Sequence, residues 1–410
     1  MKHGRNISQL ITEPFKALQN TTFAKLYFAQ TVSLIGDSIS WVGLALLAYQ
    51  IDPAHSPVIL STALTFRVLA FIIFSPFAGV LADRIDRKKI LYVTHFFRMF
   101  IISCLPFVTT EWQIYTLVFS LNVFSAFFTP TYRSIIPRIV EPNHYREAVG
   151  LSTATFQLLG VLGPGLAGIL AVWLGARDIF FVDAFSFALA AILILSIPAK
   201  NLNKGVSPVG DDGLTAWKDI LNGVRLLFGQ KLLRFALCIE FISAIAGANI
   251  LVNTIGHIKN GLGLTDKHYG IVMAAFGIGS AIAAFIAGSA DKSKTRSFSL
   301  ISGTFLIAAA VLFANFTDFR VLMILWVIAG LGQSLSQMPS ETLIGETIPI
   351  KNQGKVYGSH FAFSHLWWAI AYPFAGFLGN TFPNSNFLYS GILALAGCGI
   401  AVMIFKPKLN

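Results

Sequence analysis

The chain has 410 residues, 55% of them apolar and only 12% charged, about half the charged share of a soluble domain. Its net charge of +11 at pH 7 is spread over alternate short loops and forms no basic stripe with interleaved aromatics, which excludes a nucleic-acid binder. Cys104, Cys238 and Cys398 are odd in number, scattered and set in apolar runs, so they read as small buried hydrophobes, with no disulfide framework or zinc site.

Residues 1–22 are too polar for a signal-peptide core, so the first apolar run is expected to target the chain to the membrane. Apolar runs longer than about 18 residues recur throughout. Twelve spans are predicted at about 23–50, 57–82, 90–110, 113–135, 145–174, 179–198, 232–257, 268–290, 297–316, 319–342, 355–379 and 386–405. The fold class is therefore all-α and polytopic. Lys and Arg fall in 2–25, 84–89, 133–146, 200–234, 292–296, 351–355 and 406–408, whereas the other loops hold only Arg177, Lys259, Lys267 and Arg320. This positive-inside asymmetry predicts both termini on the cytoplasmic side of a plasma membrane.

In the first span, Gln30, Ser33, Asp37 and Trp41 follow 3-4-4 spacing and share one helical face. An ionisable group at mid-membrane costs at least about 2.5–3.5 kcal/mol, so each one poses a functional question. Arg67 enters the second span from the other side and reaches a similar depth. Asp37 and Arg67 form either a structural ion pair or a proton-coupling pair, in which Arg67 sets the pKa of Asp37; the two are compatible. Residues 79–89 put six charges between two apolar runs, which requires a water-facing turn. In the third span, His95 and Arg98 are placed near the cytoplasmic side to stabilise the first half. The fourth span carries Asn122, Ser125 and Thr129. The fifth carries Gly160, Gly163, Pro164, Gly165 and Gly168, which permit close helix contact and a kink. Asp183 is placed near the outer end of the sixth span, in contact with water.

Residues 199–231, with Gly205, Pro208, Gly210 and Gly213, read as a hydrophilic linker. A short amphipathic helix over 217–228 is expected on the cytoplasmic surface. The linker divides the chain into bundles 1–198 and 232–410. A repeat supports the division. Ala78-Gly79…Asp83 is echoed by Ala287-Gly288…Asp291, Phe128-Thr129-Pro130 by Gln337-Met338-Pro339, Ala167–Leu170 by Ala375–Leu378, and Gly150 by Gly358. The shared offset of about half the chain implies a parallel duplication, with a path between the halves near mid-membrane.

In the seventh span, Glu240, Ser243 and Gly247 lie opposite Asn249, Asn253 and His257. Both faces meet a cavity only if the helix bends, at Gly247. Glu240 reads as a structural partner or as a second proton carrier. In the tenth span, Trp326, Gly330, Gln333, Gln337 and Glu341 form a polar stripe that lines a cavity or bonds to another helix. In the eleventh, His360 and Ser364 share one face, and His365, Trp368 and Tyr372 another. Gln30, Ser33, Trp41, Asn249, Asn253, Gln333, Gln337 and His365 make up the expected cargo cavity.

The 79–89 stretch, GVLADRIDRKK, resembles the signature loop of the major facilitator superfamily, with Gly79, Leu81, Asp83, Arg84, Arg87 and Lys88 matching. Asp86 stands where the general pattern has glycine, a departure that resembles the drug:proton antiporter-3 branch of macrolide and enterobactin exporters. The Gly36-Asp37 dipeptide resembles that branch too. The fifth span resembles the superfamily's antiporter element: Gly160, Gly163, Pro164 and Gly168 carry it, and Leu166-Ala167 leaves its final glycine pair incomplete. The resemblance implies twelve helices in two pseudo-symmetric bundles and a cytoplasmic gate latched through Gly79, Asp83, Arg84 and Arg87.

No enzyme constellation is visible: there is no Gly-x-Ser-x-Gly, no His-Glu-x-x-His and no phosphate-cradling Gly-x-x-x-x-Gly-Lys-Ser/Thr. No cofactor is expected, and energy is expected from an ion gradient or the cargo's own gradient. The expected function is proton-coupled efflux of an amphiphilic drug, macrolide or siderophore from a bacterial cell. The expected partners are cargo, protons and membrane lipids, around a monomer. One alternative is a divalent metal exporter using Asp37 with His360 or His365, and Glu240 or Cys238 at a second site. Another is a membrane sensor or assembly factor that transports nothing.

Overall fold

In hydrocarbon a backbone must satisfy its own hydrogen bonds, so long apolar runs fold as helices. A computed structural model describes residues 13–141, 144–202, 213–290 and 296–407; inside its helices the side chains of 78–84, 160–165, 168, 213–217, 284–290, 341 and a few other positions lie outside the described set. The helices of the first half are α1 (Thr21–Ile51), α2 (Ser56–Arg84), α3 (Arg87–Cys104), α4 (Glu111–Ile139), α5 (Tyr145–Leu174) and α6 (Ile179–Leu195). A linker helix, α7 (Gly213–Gly229), precedes α8 (Lys231–Gly256), α9 (Asp266–Ala290), α10 (Arg296–Phe313), α11 (Phe319–Thr347), α12 (Ile350–Thr381) and α13 (Asn386–Phe405). Among the described residues there is no strand, and eight helices are long and apolar enough to cross a membrane.

Side-chain caps set several starts. Asn20 accepts from the Phe23 amide at 3.0 Å to open α1, and Asp318 accepts from Val321 at 2.9 Å to open α11. Asp86 accepts from the Lys89 amide at 3.2 Å and opens α3. That gives the departure from glycine at this position a physical role. It also narrows the expected 79–89 turn, because α2 continues through Arg84 and leaves only Ile85 and Asp86 between helices.

The duplication is visible in the packing. In the first half α1 meets α5 and α6, α2 meets α4, and α3 meets α4 and α6. In the second half α8 meets α12 and α13, α9 meets α11, and α10 meets α11 and α13. Helix α3 ends in a 3-10 turn, Leu105–Phe107, and α10 ends in its counterpart, Ala314–Phe316. Pro130 lies inside α4 as Pro339 lies inside α11.

The linker helix begins earlier than expected and leans on protein. A Cβ at Gly223 would sit 2.5 Å from the Lys355 carbonyl of α12, and the Phe228 ring meets Phe363 of α12 edge-on at 5.0 Å. Across the halves, α2 meets α12, α5 meets α9, and α8 meets α1 and α2. At the end away from the linker these contacts are tight. A Cβ at Gly376 would fall 2.0 Å from the Ser61 hydroxyl, and one at Gly379 would fall 2.8 Å from Pro57. The Tyr49 hydroxyl donates to Asn260, and the Lys259 ammonium sits 4.5 Å over the Tyr49 ring.

Helices α9 and α11 touch backbone to backbone: a Cβ on Gly279 would lie 1.8 Å from the Val327 carbonyl, and one on Gly330 would lie 1.9 Å from that of Phe276. Gly279→Val or Gly330→Val should therefore cost about 1–3 kcal/mol or more and lower the thermal unfolding midpoint in detergent. Gly150→Ala and Gly358→Ala, which meet nothing within 4 Å, should leave the midpoint unchanged or raise it.

Candidate functional site

The polar face of α1 points into a charge cluster in the first half. Asp37 receives both bonds of a bidentate pair from the Arg98 guanidinium on α3, at 2.8 and 2.6 Å. Arg98 is 3% exposed and Asp37 32%, so the arginine is sealed while the acid keeps an opening. The second guanidinium nitrogen reaches the Ser33 hydroxyl at 3.4 Å, and the guanidinium lies 4.0 Å over the Phe187 ring of α6. Ser33 and Asp37 are thus drawn together as their spacing implied, but the partner differs from the expected one.

That partner was expected to be Arg67. Its guanidinium instead lies 3.5 Å over the Trp41 ring, within electrostatic range of Asp37 and of Tyr372 on α12. Counting residues along a span gives depth but not helix rotation. Asp37 is 16 residues into α1 and Arg98 is 11 into α3; the difference of five residues, about 7.5 Å at 1.5 Å each, is within reach of an arginine side chain. Asp183, expected in water, is fully buried. The Ser40 and Ser186 hydroxyls hold it, the latter at 3.1 Å. A Cβ at Gly36 would fall 2.2 Å from its carboxylate, so the Gly36-Asp37 dipeptide lets α1 reach α6. His95, three residues before Arg98, is fully buried, with its ring 4.5 Å from that of Phe128.

In the second half, Glu240 on α8 pairs with His360 on α12 at 2.9 Å, both buried. The metal alternative loses its geometry here: Asp37 is committed to Arg98, His360 to Glu240, and His365 turns elsewhere. Its Nδ1 faces the Phe361 carbonyl at 2.8 Å, and its ring lies between Phe361 and Phe71 of α2. No three His, Cys, Asp or Glu converge among the described residues.

The two faces of α8 are both bonded within the second half. The helix is continuous through Gly247, where the missing Cβ makes room for the Gln333 side chain and Trp368. Gln333 donates to Ser243 at 3.2 Å, and Ser243 bonds Ser336 at 2.7 Å. Asn249 and Asn253, expected to line the cavity, are buried and tie the bundle together. Asn253 donates to Asn249 at 2.6 Å and to the Ala375 carbonyl at 2.9 Å, and Asn249 donates to the Asn386 carbonyl at 2.9 Å. Gln30 and Gln337 are half-buried, whereas Trp326 is fully buried against Phe387.

At the linker end, Lys88 donates to the Leu195 carbonyl at 2.9 Å and Lys25 to that of Ser196 at 3.2 Å, so two cations hold the C-terminus of α6. Arg87 is fully buried at the head of α3. Arg296, at the head of α10, is buried too and pairs with Glu346 of α11. The sequence reading missed that pair, although Arg87 and Arg296 stand at equivalent places in the repeat. The side chains of Gly79, Asp83, Arg84, Gly160, Gly163, Pro164, Gly168 and Glu341 lie outside the described residues.

The Major Facilitator Superfamily model matches residues 26–251 and 236–409. The chain belongs to this superfamily. It is a multi-pass membrane transporter and not an enzyme. Among curated relatives, an uncharacterised MFS-type transporter, YfiS of Bacillus subtilis, is 27% identical over 82% of this chain and 81% of its own. Macrolide efflux protein A of Streptococcus pyogenes is 24% identical over 95% and 96%, and the multi-drug resistance efflux pump PmrA of Streptococcus pneumoniae is 24% identical over 77% of each. The fold is similar to that of a bacterial homologue of the lysosomal transporter Spinster in an inward-facing and occupied conformation, with a TM-score of 0.73 at 13% identity over 95% and 97% of the two chains.

The transporter's two arginines should separate by stability. Arg98→Gln leaves the mid-span Asp37 without its cation and should cost about 3 kcal/mol, the low end for a broken buried pair because Asp37 is partly open. Arg67→Gln, which loses a ring contact, should cost about 1 kcal/mol. In the double variant Asp37→Asn with Arg98→Gln, much of the loss should be recovered, as read by a thermal double-mutant cycle.

Proposed function

We propose that the protein is a proton-coupled exporter of amphiphilic small molecules, of the drug, macrolide or siderophore kind, acting as a monomer in the bacterial plasma membrane. The Asp37–Arg98 pair carries this reading. A mid-span carboxylate held by a sealed arginine, yet one-third open itself, can take a proton without unfolding its surroundings. Protonation removes the charge that Arg98 neutralises, and so shifts the relative energy of two packings of the first half. Any coupling mechanism requires such a differential effect. The efflux relatives support the direction of transport and the cargo class.

With the linker end toward the cytoplasm, as the positive-inside pattern implies, the contacts of Pro57 and Ser61 with Gly376 and Gly379 close the outer side. This corresponds to an inward-open state. Trp41, Arg67, Phe71, His365 and Tyr372 then face one another across the halves and form a mixed aromatic and cationic wall for the cargo. Glu240, paired with His360, braces the second half and is not the primary proton carrier. Helix α5 lies along α9, so its antiporter element runs through the interface that rocking must rearrange. Asp83 and Arg87 latch the cytoplasmic gate in the opposite state.

In proteoliposomes with an imposed pH gradient and a macrolide cargo, Asp37→Asn should reduce proton-driven transport to background while downhill exchange persists. Glu240→Gln should retain most of the driven flux. Unaltered driven flux in Asp37→Asn would remove that residue from the mechanism. Metal binding by calorimetry should be absent both in the wild type and in His365→Ala.

A further inference from the structure

Behind Asp37 lies an acid that the proposed coupling does not use. Asp183 on α6 is fully buried, and its two oxygens meet the hydroxyls of Ser40 on α1 and Ser186 on α6. Among the described residues no cation lies within ion-pairing distance of it. Helix α3 presents Arg98, already bidentate on Asp37, and His95, whose two ring nitrogens have no hydrogen-bond partner among the described residues. Helix α1 presents Asp37 itself, close enough to act on Asp183 electrostatically. Helix α5 carries its charges, Arg146 and Glu147, in its first turn, at the opposite end from Asp183. Arg177, in the turn before α6, spends its donors on the Pro106 and Val108 carbonyls and on Gln50.

A sealed carboxylate whose hydrogen bonds among the described residues come from hydroxyls, beside a second carboxylate, is disfavoured on both desolvation and like-charge grounds. As a neutral acid it keeps both hydroxyl contacts, donating through its O–H to one and accepting from the other. We infer that the Asp183 carboxyl is a second proton-binding site, which shares the single Arg98 guanidinium with Asp37. The inference builds on the proposed coupling and names where the proton is held. In the state seen here Asp37 is the carboxylate, paired with Arg98, and Asp183 carries the proton. In the exchanged state the O–H bond on Asp183 breaks and one forms on Asp37, while the guanidinium passes from Asp37 to the new Asp183 carboxylate. One proton and one positive charge change places, and the cluster's net charge stays the same. Gly36 makes the exchange possible, because any Cβ there would part the two acids.

The test is infrared spectroscopy of the purified full-length protein in lipid nanodiscs at neutral pH, without cargo or gradient. The wild type should show the carbonyl stretch of a protonated carboxyl, shifted in heavy water. Asp183→Asn should lose it. Asp37→Asn should lose it too, because Arg98 is then free to ionise Asp183. Arg98→Gln should about double it as both acids become neutral, and His95→Phe should leave it in place. A wild type without the band, or a band unchanged in Asp183→Asn, overturns the site; persistence in Asp37→Asn overturns the sharing. If Asp183→Asn does not fold, Ser40→Ala and Ser186→Ala must shift the band's frequency, and an unmoved band counts against the assignment. Because the band is read without transport, a transport failure with the band intact refutes only the coupling reading.

Discussion

Asp37 and Arg98 form a bidentate ion pair inside the membrane-spanning part of the first half. Burying an isolated charge is costly, and the cost is offset only when geometry is good and the remaining donors find acceptors. Here the guanidinium gives two bonds to one carboxylate, a third contact to Ser33, and its face to Phe187. Those three partners come from α1 and α6 while the arginine belongs to α3, so one side chain fixes the mutual register of three helices. The glycine before Asp37 completes the arrangement by removing a side-chain atom that would hold α1 away from α6.

The second half solves the same problem with different chemistry. Glu240 and His360 join α8 to α12, and Asn253 and Asn249 bond backbone carbonyls of α12 and α13 respectively. A neutral amide network and a histidine replace the arginine. The two halves thus share a helix-packing map without sharing its polar content. In a duplicated fold, packing is set by small residues and helix length, and side chains inside each bundle are free to diverge toward separate tasks.

Much of the fold was legible because hydrocarbon leaves the backbone few options: long apolar runs, loop charge and the repeat offset each pointed to the same plan. Site residues were legible as types but not as partners. Asp37 stood out because a carboxylate at mid-span is rare, and its link to Ser33 followed from helical spacing. Its arginine did not, since counting along spans gives height and is silent on rotation about each axis. Asp183 was misjudged for a related reason: closeness to a helix end was read as contact with water, whereas Gly36 brings α1 against that end. The asparagines of α8 were taken for cavity lining because polarity in a membrane suggests an aqueous neighbour. Backbone carbonyls on adjacent helices satisfy amides equally well.

The two lysines at the linker end have a mechanical meaning beyond charge asymmetry. Lys25 projects from α1 and Lys88 from α3, and both clamp the last carbonyls of α6. Three helices are thereby riveted at one rim, the same three that Arg98 joins further in. Two fastenings at different heights resist twisting as well as sliding. The first half should therefore pivot as a stiff lever, and ammonium groups spent on this clamp are withdrawn from the phosphates of the surrounding leaflet.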